Sequence, residues 1–451
     1  MEKKVSFASF TAIGFMLFAL FFGAGNLIFP AHLGQMAGDN IWIAAIGFLA
    51  TGVGLPLLGV LAIAYSGSED LQDLASRIHP IYGISFTVLL YLSIGPFFAA
   101  PRTATVAYEV GIAPFVPEQQ FSLGLLIFSI VFFLIALVFS LFPARLVDNV
   151  GKILAPSLIV LLAILLVAAI INPMGTIGEP LEAYQVKSES FTNGFLEGYN
   201  TMDALASLVF GIIVIHTIMA LGITNRRDIF FATAKAGGIA TLLLGVIYLG
   251  IMYLGAMSTE ELGFFENGGP VLNGTAIYYF GTFGAVILAG VIILACLTTA
   301  IGLIIANSEY FHTLIPRISY RTFVFIFTIL TATVANFGLE NIITFSIPVL
   351  MFLYPLAIVL ILLTFTSKFF KDSRPVYVVA TIVTFLISIF NGLESLTESL
   401  EVEHYGWMKP IVNFYSDYLP LYDSGLGWLL PAIIVIIIGV LSNIGSKAAK
   451  I

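Results

Sequence analysis

The sequence predicts an all-α polytopic membrane protein of about twelve transmembrane helices. Three observations predict it: a lipid-compatible composition along the whole chain, a dozen apolar runs of spanning length, and an uneven distribution of lysine and arginine among the connections. Of 451 residues, 59% are hydrophobic and only 10% are charged, and the mean hydropathy is +1.04. A soluble chain carries about 25% charged residues, so this one cannot coat a water-soluble surface and its solvent is membrane lipid. The formal charge of −8 excludes a nucleic-acid partner, which needs a basic face. One cysteine, Cys296, permits neither an intrachain disulfide nor a cysteine metal cluster. The five histidines (His32, His79, His216, His312 and His404) are scattered. No resident cofactor and no obligatory protein partner are expected.

A bilayer core takes about 20 residues of helix. Segments of that kind start near Ala8, Ile41, Tyr82, Phe121, Val150, Asn193, Ile229, Thr275, Arg321, Asn341, Val376 and Gly427. The first apolar run, residues 7–30, exceeds the roughly 7–15 residues of a cleaved leader and is expected to be a span. The longer connections are 172–192, 257–274 and 396–426, followed by 65–81, and none holds a soluble domain. Backbone in hydrocarbon has no water to bond with, so runs this long must be helical.

Orientation follows from the basic residues, which concentrate on the cytoplasmic side. With the N-terminus inside, the inner segments hold Lys3, Lys4, Arg77, Arg145, Lys152, Arg226, Arg227, Lys235, Arg317, Arg321, Lys368, Lys371, Arg374, Lys447 and Lys450, 15 of the 18. The outer loops hold Lys187 and Lys409, and Arg102 falls within a span. Both termini are therefore expected in the cytoplasm. The acids of the outer loops, such as Glu179, Glu260 and Glu401, read as a solvated rim.

Two spans are interrupted. The first contains Gly23-Ala24-Gly25-Asn26, about 15 residues or roughly 22 Å from its start, which is inside the membrane. Glycine lets the backbone leave helical geometry. An unwound turn presents N–H donors on one half-helix and carbonyls on the other, which suit a carboxylate and a cation. Close packing through small residues is the alternative, and it leaves Asn26 unexplained. The sixth span carries Gly198-Tyr199-Asn200-Thr201-Met202-Asp203. Asp203 lies about ten residues, or about 15 Å, below the outer surface. A carboxylate there is either functional or a neutral, hydrogen-bonded group that orients helices.

Broken first and sixth spans are the layout of a five-plus-five inverted repeat, since an odd number of spans per repeat reverses its orientation. The expected organisation is a first repeat over 1–172 with its break at 23–26. A second repeat covers 193–367 with its break near 198–207, and two additional helices cover 376–451.

The strings FFGAGNLIFP, GPFFAAPRTATVAYEVG and GYNTMDALASLVFG together resemble the branched-chain amino acid:cation symporters, the BrnQ-type carriers, and the likeness runs along essentially the whole chain. The resemblance implies uptake of leucine, isoleucine and valine with a cation across a bacterial cytoplasmic membrane. More distantly, the pattern is similar to the leucine-transporter (LeuT) fold, itself a standard example of broken helices around a midplane site. That resemblance implies that the amides around Gly23, Ala24 and Gly25, with Asn26, hold the substrate carboxylate. It puts Ser207 near the amine and Phe210 against the side chain. It also implies a Na+ site of the Ala19, Phe22 and Ala295 carbonyls and the Thr298 and Thr299 hydroxyls, five neutral oxygens that suit a hard ion. Left to themselves, such hydroxyls usually bond the preceding turn. Leu20 and Leu205 stand where the pattern has polar residues, so one coupling ion is expected and a second stays open.

Span three adds Pro96 and Pro101, which kink a helix, then Arg102 and Glu109. Those two lie about 10 Å apart along a straight helix and are not expected to pair. Arg102 is read as a buried gate residue or a partner of Asp203, against snorkelling outward. Glu109 is read as a gate or proton-coupling group, against simply ending the helix. Tyr108 is expected to face the site. Proton coupling through Asp203 or Glu109 is the alternative to sodium. A channel is the alternative of another class, which flux kinetics separate from a carrier. An enzyme is excluded by the lack of a nucleophile elbow or an H-E-x-x-H pair, and a primary pump by the lack of a phosphate loop.

Overall fold

The computed structural model describes residues 7–68, 70–142, 155–400, 402 and 406–448. The start of the fifth span at Val150 lies outside them, as do Lys3, Lys4, Arg145, Lys152, Glu401, Glu403, His404 and Lys450. The described residues are almost entirely helical and contain no strand. Among the described residues, eight helical segments are long and apolar enough to cross a membrane, and four shorter apolar helices accompany them.

The helices are α1 (Phe7–Phe21), α2 (Gly25–Ala37), α3 (Ile41–Leu49), α4 (Leu55–Ser66), α5 (Leu71–Ser76), α6 (Pro80–Leu92), α7 (Ala99–Gly111), α8 (Phe121–Ser140) and α9 (Ala155–Ile171). They continue as α10 (Lys187–Glu197), α11 (Asp203–Ala220), α12 (Arg226–Leu262), α13 (Gly268–Leu314), α14 (Tyr320–Ala335), α15 (Leu339–Thr366), α16 (Arg374–Ser399), α17 (Lys409–Tyr418) and α18 (Leu429–Ala448).

The interruptions follow local chemistry. Both halves of the first broken span are helical, α1 and α2, with Phe22–Ala24 between them. The sixth span breaks over 198–202 rather than as far as 207. A 3-10 turn covers Gly198–Thr201, Met202 takes the left-handed conformation at φ 61°, and Asp203 restarts a regular helix. Span three kinks through a π turn over Ser93–Phe97, where Gly95 is non-helical ahead of Pro96. The eighth span begins later than expected. Gly281, at φ 62°, divides α13, so residues 268–280 form a separate helix capped by Asn267, whose side chain accepts from the Gly269 amide at 2.9 Å. Two expected loops contain short helices, α5 and α17.

By contacts the chain forms two units, each drawn from both halves of the sequence. The first comprises residues 1–54, 91–203 and 235–343. Within it α13 packs on α2, α7 and α14, and α10 packs on α3. Backbones touch where α2 meets α12: a Cβ on Gly34 would fall on the Met252 carbonyl oxygen, and one on Gly255 on the Ala31 carbonyl oxygen. The second unit comprises residues 55–90, 204–234 and 344–451, with α16 packed on α18.

Candidate functional site

The first unit brings both breaks, residues 22–26 and 198–203, into one buried cluster. The Gly23 amide would bond the Ala19 carbonyl in a continuous helix. It instead donates to Asn26 Oδ1 at 2.8 Å, so Asn26 caps the break and the Ala19 carbonyl loses its helical partner. The amides of Gly25 and Asn26 open α2 with no acceptor among the described residues. They are the unspent donors of a half-helix start, where an anion is favoured.

Asn26 then spans to the second break. Its Nδ2 donates to Asp203 Oδ2 at 2.5 Å and also to the Tyr248 hydroxyl of α12. That hydroxyl in turn donates to the same Asp203 oxygen at 2.9 Å. Asn26, Asp203 and Tyr248 are all buried. A polar group in this position is tolerated only when bonded, and here the carboxylate gathers two donors on one oxygen. The two breaks also touch directly, since a Cβ on Gly25 would lie 3.4 Å from Thr201 Cα.

Arg102 joins the same unit. It is 2% exposed, which removes the snorkelling reading. Its guanidinium donates to the Asn200 carbonyl at 2.6 Å and lies 5.0 Å from the centre of the Phe29 ring. It thus holds a carbonyl that the 3-10 turn releases, while facing an aromatic ring of α2. We expect Arg102→Met to lower transport at least tenfold with little loss of folded protein. Normal transport by that variant, measured per folded molecule, would remove Arg102 from the site.

The first break also lies against α13. A Cβ on Gly23 would lie 3.3 Å from Thr299 Cγ2 and 3.6 Å from its hydroxyl. The Thr298 and Thr299 hydroxyls both fold back on the Ala295 carbonyl, at 2.7 and 3.2 Å. These are the preceding-turn bonds that such hydroxyls ordinarily make, and Thr299 lies beside the unwound turn that carries Phe22. The Phe22 amide still bonds Phe18 at 2.7 Å, while no donor among the described residues takes its carbonyl.

Other expected residues are placed differently. Glu109 accepts from Asn267 Nδ2 at 3.2 Å and so sits with the cap of α13. Tyr108 turns its hydroxyl to the Phe121 carbonyl of α8 at 2.9 Å and sets its ring edge-on to Phe121 and tilted against Phe128, instead of facing the site. Ser207 and Phe210 belong to the second unit and are buried on α11. There the Ser207 hydroxyl donates to the Ala204 carbonyl at 2.7 Å, pressed against α4, where a Cβ on Gly59 would overlap it. Tyr248 was not singled out in the sequence. A tyrosine in a membrane helix is common, and only its neighbourhood of small residues distinguishes it.

Interrupted helices meeting at buried polar groups in an all-helical membrane chain define a transporter fold of the LeuT type. Solved structures share the fold. MhsT in complex with L-phenylalanine aligns at a TM-score of 0.55 with 15% identity, over 96% of this chain and 98% of that one. An Eremococcus coleocola manganese transporter aligns at 0.58 with 13% identity, over 97% of each. At these identities the likeness concerns the fold alone. The sequence is more specific. The chain belongs to the branched-chain amino acid transport protein family, whose profile matches residues 6–445. The branched-chain amino acid permease BrnQ of Bacillus subtilis is 46% identical over 96% of both chains. The permease BraB of the same organism is 48% identical over 95% of this chain and 94% of its own. A branched-chain amino acid transport system 2 carrier protein of Pseudomonas aeruginosa is 44% identical over 96% and 95%.

Proposed function

We propose that this chain imports leucine, isoleucine and valine by Na+ symport through alternating access, in a bacterial cytoplasmic membrane with both termini inside. Family membership supports the substrate class. The observation that carries the mechanism is the joining of the two breaks through Asn26 and Asp203, with Thr299 against Gly23. The substrate carboxylate sits on the open amides of Gly25 and Asn26, with Ala24 and Gly23 forming the turn. Ser207 and Phe210 contribute to the amine and side-chain contacts. Na+ takes the Ala19, Phe22 and Ala295 carbonyls and the Thr298 and Thr299 hydroxyls, replacing the bonds those hydroxyls make to Ala295. A cation at that point orders the unwound turn, which completes the carboxylate site, so ion and amino acid bind with positive coupling.

The test is uptake of labelled leucine into proteoliposomes under an inward sodium gradient, compared with a proton gradient alone. We expect saturable accumulation that requires sodium, and loss of the sodium requirement or of uptake in a Thr298→Ala, Thr299→Ala variant. Full sodium-dependent uptake by that variant would refute the ion site. Accumulation on a proton gradient without sodium would favour the second reading. In that reading Asp203, buried between two donors, or Glu109 carries the proton. Unsaturable flux would point to a channel.

A further inference from the structure

We propose that the second unit carries a binding site for a phosphate-bearing anion, apart from the transport site. The site is a cavity of about 1000 Å3 whose lining includes Arg77, Arg226, Arg227 and Lys368, with Asp372 as the one carboxylate among the described lining residues. Among those residues four cations stand against one acid, an excess of three positive charges around one space. Like charges gathered this way repel, and an anion bound among them relieves that repulsion.

The internal partners do not complete it. Arg77 pairs with Asp372 at 3.7 Å and donates to the Ser66 carbonyl at 2.9 Å, which accounts for the one acid. Lys368 has its ammonium 4.6 Å from the centre of the Tyr65 ring, and Arg227 its guanidinium 5.8 Å from that of Phe231. Rings orient these cations without neutralising them. Arg226 makes no ion pair among the described residues. It is nonetheless held in place: Gly67, at φ 65°, leaves it a berth that a Cβ would close, at 2.6 Å from the guanidinium carbon. A guanidinium seated against backbone, with its planar fork left over, is arranged for a bidentate oxyanion.

The cavity also contains the start of α12. Asn225 caps that helix, its Oδ1 accepting from the Arg227 amide at 3.0 Å, and the first-turn amides add partial positive charge at the same point. Asp228, in that first turn, does not line the cavity. Two of the lining rings, Phe230 and Phe231, supply an apolar wall, and Phe231 is half exposed. Oxyanion donors beside exposed aromatic carbon match the headgroup of an anionic phospholipid, and the same donors would take free phosphate.

Native mass spectrometry and thermal unfolding of the purified full chain test this. The probes are phosphatidylglycerol, phosphatidylcholine and inorganic phosphate, applied to wild type and to an Arg226→Gln, Arg227→Gln, Lys368→Gln variant. We expect phosphatidylglycerol to be retained at least tenfold more than phosphatidylcholine by wild type. The preference should fade at high salt and be lost in the variant. Stabilisation by inorganic phosphate alone, absent from the variant, would support the site and identify its ligand as free phosphate. Equal retention of the two lipids by wild type, with no stabilisation by phosphate, would overturn the proposal whether or not the variant folds. So would an undiminished preference in a folded variant.

Discussion

Asp203→Ala will lower the initial rate of substrate uptake by about two orders of magnitude while leaving the protein folded. The carboxylate oxygen Oδ2 accepts from both Asn26 and Tyr248. Its removal takes away the acceptor of two buried donor bonds, each loss costing about 1–3 kcal/mol. Both belong to the elements that meet at the breaks, so the loss falls on the geometry that positions the turn at Gly23–Asn26. Asp203→Asn separates two roles. An asparagine can place its carbonyl oxygen where Oδ2 stands and keep both donors, while it removes the charge. Under sodium coupling through neutral oxygens, Asp203→Asn should retain uptake within about tenfold of wild type, because the net worth of a charged over a neutral acceptor is about 1 kcal/mol. Under proton coupling through Asp203 it should abolish gradient-driven accumulation yet still permit exchange of substrate. Tyr248→Phe removes one donor and should cost less than Asp203→Ala. A double-mutant cycle between Asn26→Ala and Tyr248→Phe should be strongly non-additive, since both act through one oxygen. Full uptake by Asp203→Ala would show that this cluster only fills space.

How much of this was readable in advance depended on whether a residue contradicts its solvent. Asn26 and Asp203 stand out because an amide and a carboxylate in hydrocarbon demand a reason, and they are found bonded to each other. Gly23 and Gly25 are conspicuous beside them. Tyr248 carries the third corner of the cluster but contradicts nothing by its type, and the Asn200 carbonyl that Arg102 seeks has no side-chain signature at all. Break boundaries were less legible than breaks. Apart from Leu205, residues 203–207 are small or polar, yet the left-handed Met202 already completes the turn, so they remain helical. Hydropathy likewise cannot tell the helix at 268–280 from the span that follows, because both are apolar and only the backbone at Gly281 separates them. The short helices α5 and α17 lie in connections with no apolar run of spanning length to announce them.

Glycine packing gives the largest expected effect on stability, and one helix contains its own control. Gly238 and Gly255 both lie on α12. By helix propensity alone, alanine at either position should stabilise by about 0.5–1 kcal/mol. At Gly238 a Cβ meets nothing within 4 Å, so Gly238→Ala should be neutral or raise the unfolding temperature. At Gly255 the added carbon would overlap the Ala31 carbonyl oxygen, and at Gly34 the Met252 carbonyl oxygen. Backbone atoms cannot rotate aside, so α2 and α12 must separate. Overpacking of this kind costs about 1–3 kcal/mol when side chains can adjust, and more when they cannot. The separation also reaches the functional cluster. Gly34 is eight residues from Asn26 and Gly255 seven from Tyr248, roughly 10–12 Å along each helix, so parting the helices at the crossing pulls on the Asn26–Tyr248 contact. Gly255→Ala and Gly34→Ala should each lower the unfolding temperature and transport together, and Gly255→Leu should prevent recovery of folded, monodisperse protein. Thermal unfolding of the four variants in one detergent decides it. Equal behaviour of Gly238→Ala and Gly255→Ala would mean that α2 and α12 do not approach this closely.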